Sequence, residues 1–402
     1  MNHNIAKLYQ IAQKKSRNIL GLMSGTSLDG LDVALCKVTD SGENSKVEIM
    51  CFETISYSEN VKNEIKKVFA KKEIDFQHLV LLNEWIGILH GQMVLDCLNS
   101  WDIDPKDIDL IASHGQTVLH APKILHGQDN FPNATLQIGD GDHIAVKTGI
   151  TTISDFRQKH LAAGGEGAPL AVYGDFFLFG QKGENRIMLN MGGIANFTFL
   201  PETMNPETVF VTDTGTGNTL LDAFTKHYFP EKSFDKDAEI ASCGEVNFDL
   251  LEALKSNDFF RKPFPKTTGP ELFNKEYVFE SQKKSKTSKL SPQDLLATLA
   301  MFSANTIADG ILFAAKNTNC KIEDFKIYMS GGGVHNPLLT GFLKDLLPCQ
   351  FFKTDVLGID SDAKEAILFA ILANEAVVGG TSDFGSGSRI PTVSMGKISF
   401  AF

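Results

Sequence analysis

The stretch Ile19-Leu20-Gly21-Leu22-Met23-Ser24-Gly25-Thr26-Ser27-Leu28-Asp29-Gly30-Leu31-Asp32-Val33-Ala34-Leu35 decides the fold. An apolar run enters a turn built from Ser, Gly and Thr, passes through Asp-Gly, and leaves as a second apolar run. That pattern is a hairpin signal, and Asp29-Gly30 is expected to supply the positive φ that tight hairpin turns need. The turn holds three hydroxyls, two glycines and successive backbone N–H groups. Such a loop can wrap an anion, because glycine lets the backbone approach and consecutive amides form a concave nest. An ordinary surface hairpin is the plainer reading of the same residues.

The hairpin recurs. Arg186-Ile187-Met188-Leu189-Asn190-Met191-Gly192-Gly193-Ile194-Ala195-Asn196-Phe197-Thr198-Phe199-Leu200 is again strand, glycine turn, strand. Two such units in one chain of 402 residues predict two related halves, each with its own core, facing each other across a cleft. Around them, strand-like and helix-like segments alternate, which favours a layered α/β architecture. Val47 to Tyr57 reads as a strand, and Ile108 to Ala112 as a buried strand ending in Ser113-His114-Gly115-Gln116. Thr208 to Thr212 reads as a strand running into Asp213-Thr214-Gly215-Thr216-Gly217-Asn218, and Phe325 to Met329 as one ending at Ser330-Gly331-Gly332-Gly333-Val334-His335-Asn336. Glu280 to Pro292 is polar and Lys/Ser-rich and reads as an exposed loop. The expected domains are 1–165 and 166–379, with a tail of about 380–402 packing back on the first.

Composition narrows the class. Apolar content of 43% with 22% charged residues fits a soluble globular protein. No uninterrupted apolar stretch reaches the roughly 20 residues of a membrane helix. Met1 to Arg17 lacks a signal-peptide core and reads as a polar, partly helical lead-in. A net charge of −11 argues against nonspecific nucleic-acid binding. The six cysteines (Cys36, Cys51, Cys97, Cys243, Cys320, Cys349) stand singly, without CxxC or CxxH spacing, so disulfides and zinc are not expected and a cytoplasmic location is.

The chain contains no GxxxxGK[ST], no protein-kinase signature, no GxSxG and no HExxH, and its Gly331-Gly332-Gly333 run lacks the third glycine of a dinucleotide fingerprint. What remains is a set of polar, glycine-rich segments at the ends of apolar strands, where layered α/β proteins bind ligands. Five of them suggest a cleft lined with backbone amides, which suits a polyphosphate such as ATP; a sugar cleft without a polyanion is the alternative. Asp213 is the leading candidate for acid/base work, as a carboxylate emerging where a strand becomes a loop. Its plainer role is an N-cap or Asx-turn for a helix starting near Thr219. Asp29 and Asp32 are turn and strand-start residues, or hold the Mg²⁺ that accompanies a nucleotide. Arg157 either grips an anionic substrate group through its planar fork or forms a surface ion pair. His114 either bonds a ligand hydroxyl or closes a strand end.

These residues form an ordered set: Gly21 to Asp32, Ser113-His114-Gly115-Gln116-Thr117, Gln137-Ile138-Gly139, Asp155-Phe156-Arg157, Ala162-Ala163-Gly164-Gly165, Gly167-Ala168-Pro169-Leu170, Asn190 to Asn196, Asp213-Thr214-Gly215, Gly217-Asn218, Thr268-Gly269, Phe273-Asn274, Gly331-Gly332-Gly333 and Lys364-Glu365-Ala366. With it, the chain resembles the anhydro-N-acetylmuramic acid kinase family, sugar kinases of the actin-like ATPase superfamily, over nearly its full length. The resemblance implies two ribonuclease-H-like domains enclosing an interdomain cleft for ATP, with Mg²⁺, and a 1,6-anhydro sugar. It implies hydrolytic opening of the anhydro ring coupled to phosphorylation at O6, with Asp213 as the catalytic base. By position, Gly25, Thr26, Ser27, Leu28, Asp29, Gly30, Leu31 and Asp32 would hold the nucleotide, as would Gly192, Gly193, Asn196, Gly215, Gly331, Gly332, Gly333 and Asn336, with Asp29 as the metal ligand. His114, Gln116, Arg157, Gly165, Glu166 and Asn218 would hold the sugar, and a homodimer is implied. The chain departs from the family in having His160 for Asp, Glu166 for Gln, Thr216 for Pro and Pro270 for Arg. The ATP side therefore rests on more matches than the sugar side. A kinase for a related anhydro sugar such as levoglucosan, or a non-catalytic sugar-sensing ATP-binding module, is the alternative reading.

Overall fold

The computed structural model describes every residue except 169, 270, 360–362 and 380–393, so Pro270 lies outside the described residues. Its strands are β1 (Ser16–Ser24), β2 (Gly30–Thr39), β3 (Lys46–Ser56), β4 (Leu110–Ala121), β5 (Ala134–Ile138) and β6 (Thr152–Ser154). They continue as β7 (Asn185–Met191), β8 (Ile194–Leu200), β9 (Phe210–Thr216), β10 (Phe325–Ser330), β11 (Gln350–Lys353) and β12 (Lys397–Ser399). The first helices are α1 (His3–Gln13), α2 (Glu59–Lys66), α3 (Phe76–Ser100), α4 (Lys123–His126), α5 (Gly141–Thr148), α6 (Phe156–Ala162) and α7 (Ala171–Phe179). After these come α8 (Thr219–Tyr228), α9 (Phe248–Lys255), α10 (Asp258–Arg261), α11 (Lys275–Ser285), α12 (Pro292–Thr318), α13 (Pro337–Leu346) and α14 (Lys364–Val378).

The chain divides into two compact units, residues 1–179 with 359–402, and residues 180–358. In the first, the strands lie in the order β3-β2-β1-β4-β6-β12, with β5 pairing β4. In the second the order is β9-β8-β7-β10-β11. The shared part has one pattern of directions: the opening strand is antiparallel to the next and parallel to the one that returns to its other side. This is the ribonuclease-H-like arrangement, present twice. The β1–β2 hairpin and the β7–β8 hairpin occupy the same place in their sheets, as the repeated sequence pattern predicts.

The sheet of the first unit is covered on both faces, which is why β1 reads as a nearly continuous apolar run. Leu20, Leu22, Leu31, Val33, Leu35 and Ile111 pack with residues of α2, α3 and α5. On the opposite face, a Cβ added at Gly21 would lie 1.9 Å from the Ala366 carbonyl oxygen, so α14 rests directly on β1. Gly174 of α7 meets Leu368 of α14 in the same close manner, and Lys364 pairs with the buried Asp175 at 2.7 Å. These contacts explain why α7 and α14 lie with the first unit, whereas the sequence boundaries put them in the second. Residues 397–399 add β12 to β6.

In the second unit, Ile187, Leu189, Phe197 and Phe199 pack with Ala304, Ile307, Ile311 and α13. The other half of α12 joins Leu220, Phe224, Leu250, Phe273 and Val278 in a neighbouring cluster. α12 is long and apolar enough to cross a membrane, but 78% of its most apolar window is buried inside the protein, as in a core helix.

Three local expectations change. Leu28, not Asp29-Gly30, carries the positive φ of the first hairpin, at 58°. Gly30 lies in β2, where an added Cβ would sit 2.2 Å from the Ile55 carbonyl oxygen of β3. β4 does not stop at Ser113 but runs on to Ala121, because β5 pairs with it beyond the end of β1. Residues 280–285 are helical within α11: Asn274 caps it by accepting from the Tyr277 N–H at 3.0 Å, and Val278 is buried.

Candidate functional site

In the first unit the hairpin turn is braced from beneath. Ser24 Oγ lies 2.7 Å from Gln116 Oε1, 3.0 Å from the Gly30 carbonyl and 2.8 Å from the Tyr57 hydroxyl. Gln116 Nε2 donates to the carbonyls of Gly25 (2.8 Å) and Thr117 (3.0 Å). Both polar ends of this fully buried Gln116 are thus engaged by the turn and its own strand. Above the brace, Thr26, Ser27 and Asp29 are exposed, and Leu28 and Leu31 are buried. The N–H groups of Thr26, Ser27 and Leu28 find no acceptor among the described residues, which is the arrangement an anion would complete. Asp29 Oδ1 accepts from Ser27 Oγ (2.6 Å) and from the Gly30 N–H (3.0 Å), and Oδ2 has no hydrogen-bond partner among the described residues. Thr54 donates to Asp32 Oδ1 at 2.6 Å. A single carboxylate oxygen at an exposed turn suits Mg²⁺, which takes one or two carboxylates and fills its remaining positions with phosphate and water.

A second cluster in the same unit joins His114, Arg157 and Gly165. Arg157 Nε donates to His114 Nε2 (2.8 Å) and its Nη1 to the Gly167 carbonyl (2.6 Å). His114 Nδ1 bonds the Gly115 carbonyl at 2.8 Å, so the ring is a donor at Nδ1 and an acceptor at Nε2. Arg157 also lies close enough to Glu365 for their charges to interact. His160 accepts the Gly167 N–H at 3.0 Å, and Gly165 packs so closely on its ring that a Cβ would sit 2.2 Å away. The departure at His160 is therefore built into the backbone of this segment. Glu166 is exposed.

In the second unit a polar row crosses the sheet. Ser330, Asn190, Asn196 and Asp213 stand opposite one another on β10, β7, β8 and β9, so their side chains share one face, and all four are half-buried. Asn190 and Ser330 stand in two of the glycine-rich segments that the sequence singles out, without an individual role there; the register that aligns them with Asp213 emerges only from strand pairing. Asp213 is not at the end of its strand as expected. A bulge at Thr214, whose hydroxyl bonds the Ala195 carbonyl at 3.1 Å, lets β9 continue to Thr216 while holding Asp213 opposite Asn196. Nor does Asp213 cap α8, where Asn218 occupies the N-cap position.

Asp213 Oδ2 accepts the Thr268 N–H at 2.8 Å, and Oδ1 has no hydrogen-bond partner among the described residues. Burial raises its carboxyl to about 6, with the Thr268 N–H opposing the shift. Such a group is poised to accept a proton near neutrality.

The glycines of this unit pack on one another. A Cβ at Gly217 would lie 2.3 Å from the Gly192 carbonyl oxygen, and Gly331, with φ of 81°, presses on Asn190 and the Met191 backbone. Gly333 meets Met191, and Asn218 Nδ2 donates to the Met191 carbonyl at 3.0 Å. The N–H groups of Gly192 and Gly193 have no acceptor among the described residues. Gly215 instead faces α12, where an added Cβ would lie 3.2 Å from Thr306 Oγ1, and Asn336 caps α13 by accepting from the Leu339 N–H at 2.9 Å. Thr216 is fully buried beside the start of α8.

Acid should act oppositely on the buried histidines of the first unit and on two buried aspartates of the second. In the first, burial lowers His90 and His160 to about 4 and His114 to about 3. Between about pH 6.5 and 4 the unfolded chain therefore binds protons that these histidines refuse, and stability is lost as pH falls. In the second unit, Asp213 and Asp222 are both raised to about 6 by burial, so acidification through that range favours the folded form. Hydrogen exchange, corrected for intrinsic rates, should show α3 and β4 losing protection between pH 7 and 5 while β9 and α8 hold theirs. Equal loss in both units would contradict these assignments.

Known proteins resemble this chain along nearly its whole length. A family model described as anhydro-N-acetylmuramic acid kinase matches residues 17–398. A protein named anhydro-N-acetylmuramic acid kinase from Pseudoalteromonas atlantica is 55% identical over 403 residues, covering 100% of both chains. One of the same name from Caldanaerobacter subterraneus subsp. tengcongensis is 38% identical over 400 residues, covering 98% of this chain and 99% of its own. With the family model matching nearly the whole chain and relatives 55% and 38% identical from one end to the other, the chain belongs to the anhydro-N-acetylmuramic acid kinase family.

Proposed function

We propose that this kinase opens the 1,6-anhydro ring of anhydro-N-acetylmuramic acid with water and transfers the γ-phosphoryl group of ATP to O6, giving N-acetylmuramic acid 6-phosphate and ADP. The observation that carries the chemistry is the Asp213 carboxyl, raised to about 6, with one oxygen held by the Thr268 N–H. Asp213 takes the proton of a water whose oxygen bonds to the anomeric carbon. The bond from that carbon to O6 breaks, and its electron pair stays on O6. O6 then bonds to the γ-phosphorus as the bond to the ADP oxygen breaks, so protons and electron pairs balance.

The open amides at Thr26 to Leu28 and at Gly192-Gly193 would receive phosphate oxygens, with the rest of each glycine turn keeping side chains out of the way. Asp29 would hold Mg²⁺, which when bound neutralises charge on the phosphates. Arg157, its guanidinium aimed by His114, would grip the acidic substituent of the sugar, with Gly165 and Glu166 beside it. Gln116 supports the nucleotide side by bracing the hairpin, and Asn218 does the same for the second glycine turn.

The test is ATP-dependent phosphorylation of 1,6-anhydro-N-acetylmuramic acid and of levoglucosan, with products identified by mass spectrometry. The expected result is turnover of the amino sugar with a kcat/KM at least about tenfold higher, since levoglucosan lacks the carboxylate Arg157 would pair with. Preference for levoglucosan would overturn the substrate assignment. Binding of ATP with turnover of neither sugar would leave the non-catalytic reading in its place.

A further inference from the structure

We propose that Lys266 is a positioning residue for Asp213: its caged ammonium anchors the segment 264–268, which delivers the Thr268 N–H to the carboxylate. The inference rests on the reading of Asp213 as the base.

The segment is stitched to β9 at the residues that matter. Thr212 Oγ1 accepts the Lys266 N–H at 3.0 Å and lies 3.2 Å from the Lys266 carbonyl, to which it can donate in turn. That carbonyl also accepts the Asp213 N–H at 2.9 Å. Two residues further on, the Thr268 N–H reaches Asp213 Oδ2. The backbone of Lys266 thus fixes the base at its main chain, and the continuation of the same segment fixes it at its side chain.

The Lys266 side chain holds the segment from the other end. Lys266 is 6% exposed, and its Nζ donates to the Phe259 carbonyl at 3.2 Å. The ammonium lies 4.2, 4.5 and 5.6 Å from the ring centroids of Phe264, Phe259 and Phe260. Among the described residues no carboxylate comes within ion-pair distance of it. Asp309 on α12 acts on it from farther away, and Lys262 opposes. A buried cation without a counterion is costly, so the cage and the carbonyl must hold it. A Met or Leu would fill the same apolar space without that cost. What the charge adds is a directional tether between the segment and α10, whose Phe259 is seated in the core with Phe273 and Phe302. Loosening the tether frees the amide that sets the orientation and acidity of the base.

The experiment is the pH profile of kcat for Lys266→Met. Expected are a fall in kcat of about tenfold or more, with KM for ATP and sugar within about twofold, as misplacement of a catalytic group produces. The acid limb should also move to higher pH, since the Thr268 N–H stabilises the charged carboxylate. Lys266→Arg, which keeps a cation in the cage, should restore most of the rate and the limb. Thr212→Val loosens the same stitch without touching the cage; it should move the limb in the same direction, and it serves if Lys266→Met does not fold. A Lys266→Met enzyme with wild-type kcat and limb, or with a lower melting temperature and neither of them changed, overturns the inference. Full activity in Asp213→Asn would instead overturn the reading of the base, so the two failures are distinguishable.

Discussion

Replacing Asp213 with Asn is expected to lower kcat by about 10³-fold, within the range that a positioned general base contributes, while ATP affinity by calorimetry stays within about twofold. The substitution isolates the proton chemistry. Asparagine keeps an oxygen that can accept the Thr268 N–H, so the geometry at that contact survives. It also removes the group that burial raises to about 6. The wild-type rate should therefore fall as pH drops through that value, because the base must be deprotonated to act, and the residual rate of the variant should show no such limb. Turnover within tenfold of wild type would remove Asp213 from the role. The affinity should hold because the open amides of the second glycine turn, at Gly192 and Gly193, are supplied by main chain that the substitution leaves in place.

The second large effect is structural. Gly21→Ala is expected to cost about 3 kcal/mol or more, at the upper end for overpacking, because its Cβ would meet the Ala366 carbonyl at 1.9 Å. A backbone oxygen cannot swing aside as a long side chain can. α14 would have to lift off β1, separating Ile367, Ala370 and Ile371, all fully buried, from the sheet. The melting temperature of the first unit should drop by roughly 6–10 °C. A melt within 1 °C of wild type would mean that the helix does not rest on the strand as described.

Much of the fold was legible because its determinants are local. Both hairpins announce themselves by an apolar run, a glycine turn and a second apolar run, and the matching strand orders follow from the same pattern used twice. What escaped was set by distant partners. α7 and α14 join the first unit through contacts such as Gly174 on Leu368, between residues far apart in the chain. The location of Asp213 within β9 depends on a bulge opposite Ala195 and Asn196, which no spacing in the sequence reveals. The left-handed residue of the first hairpin is Leu28, whose buried side chain offsets a conformation that usually belongs to glycine or asparagine. Lys266 was hidden for a different reason: Phe259, Phe260 and Phe264 read as ordinary core residues until a cation is seen among them. The candidate site was legible in its glycines and its carboxylate, and much less so in the groups that aim them.

That α14 covers β1 has a consequence for the order in which the molecule can be made. The first unit is interrupted in the chain by all of residues 180–358, and the helix that closes one face of its sheet is made only after them. A ribosome therefore finishes the whole of the second unit while the seat for α14 on β1 still lies bare. Since domains tend to fold as they emerge, the second unit can reach its native form first and the first unit must wait. A chain released before residue 364 would carry an intact second unit beside a sheet with one apolar face uncovered. Truncations from the C-terminal side should thus be far more prone to aggregate than their small loss of length suggests.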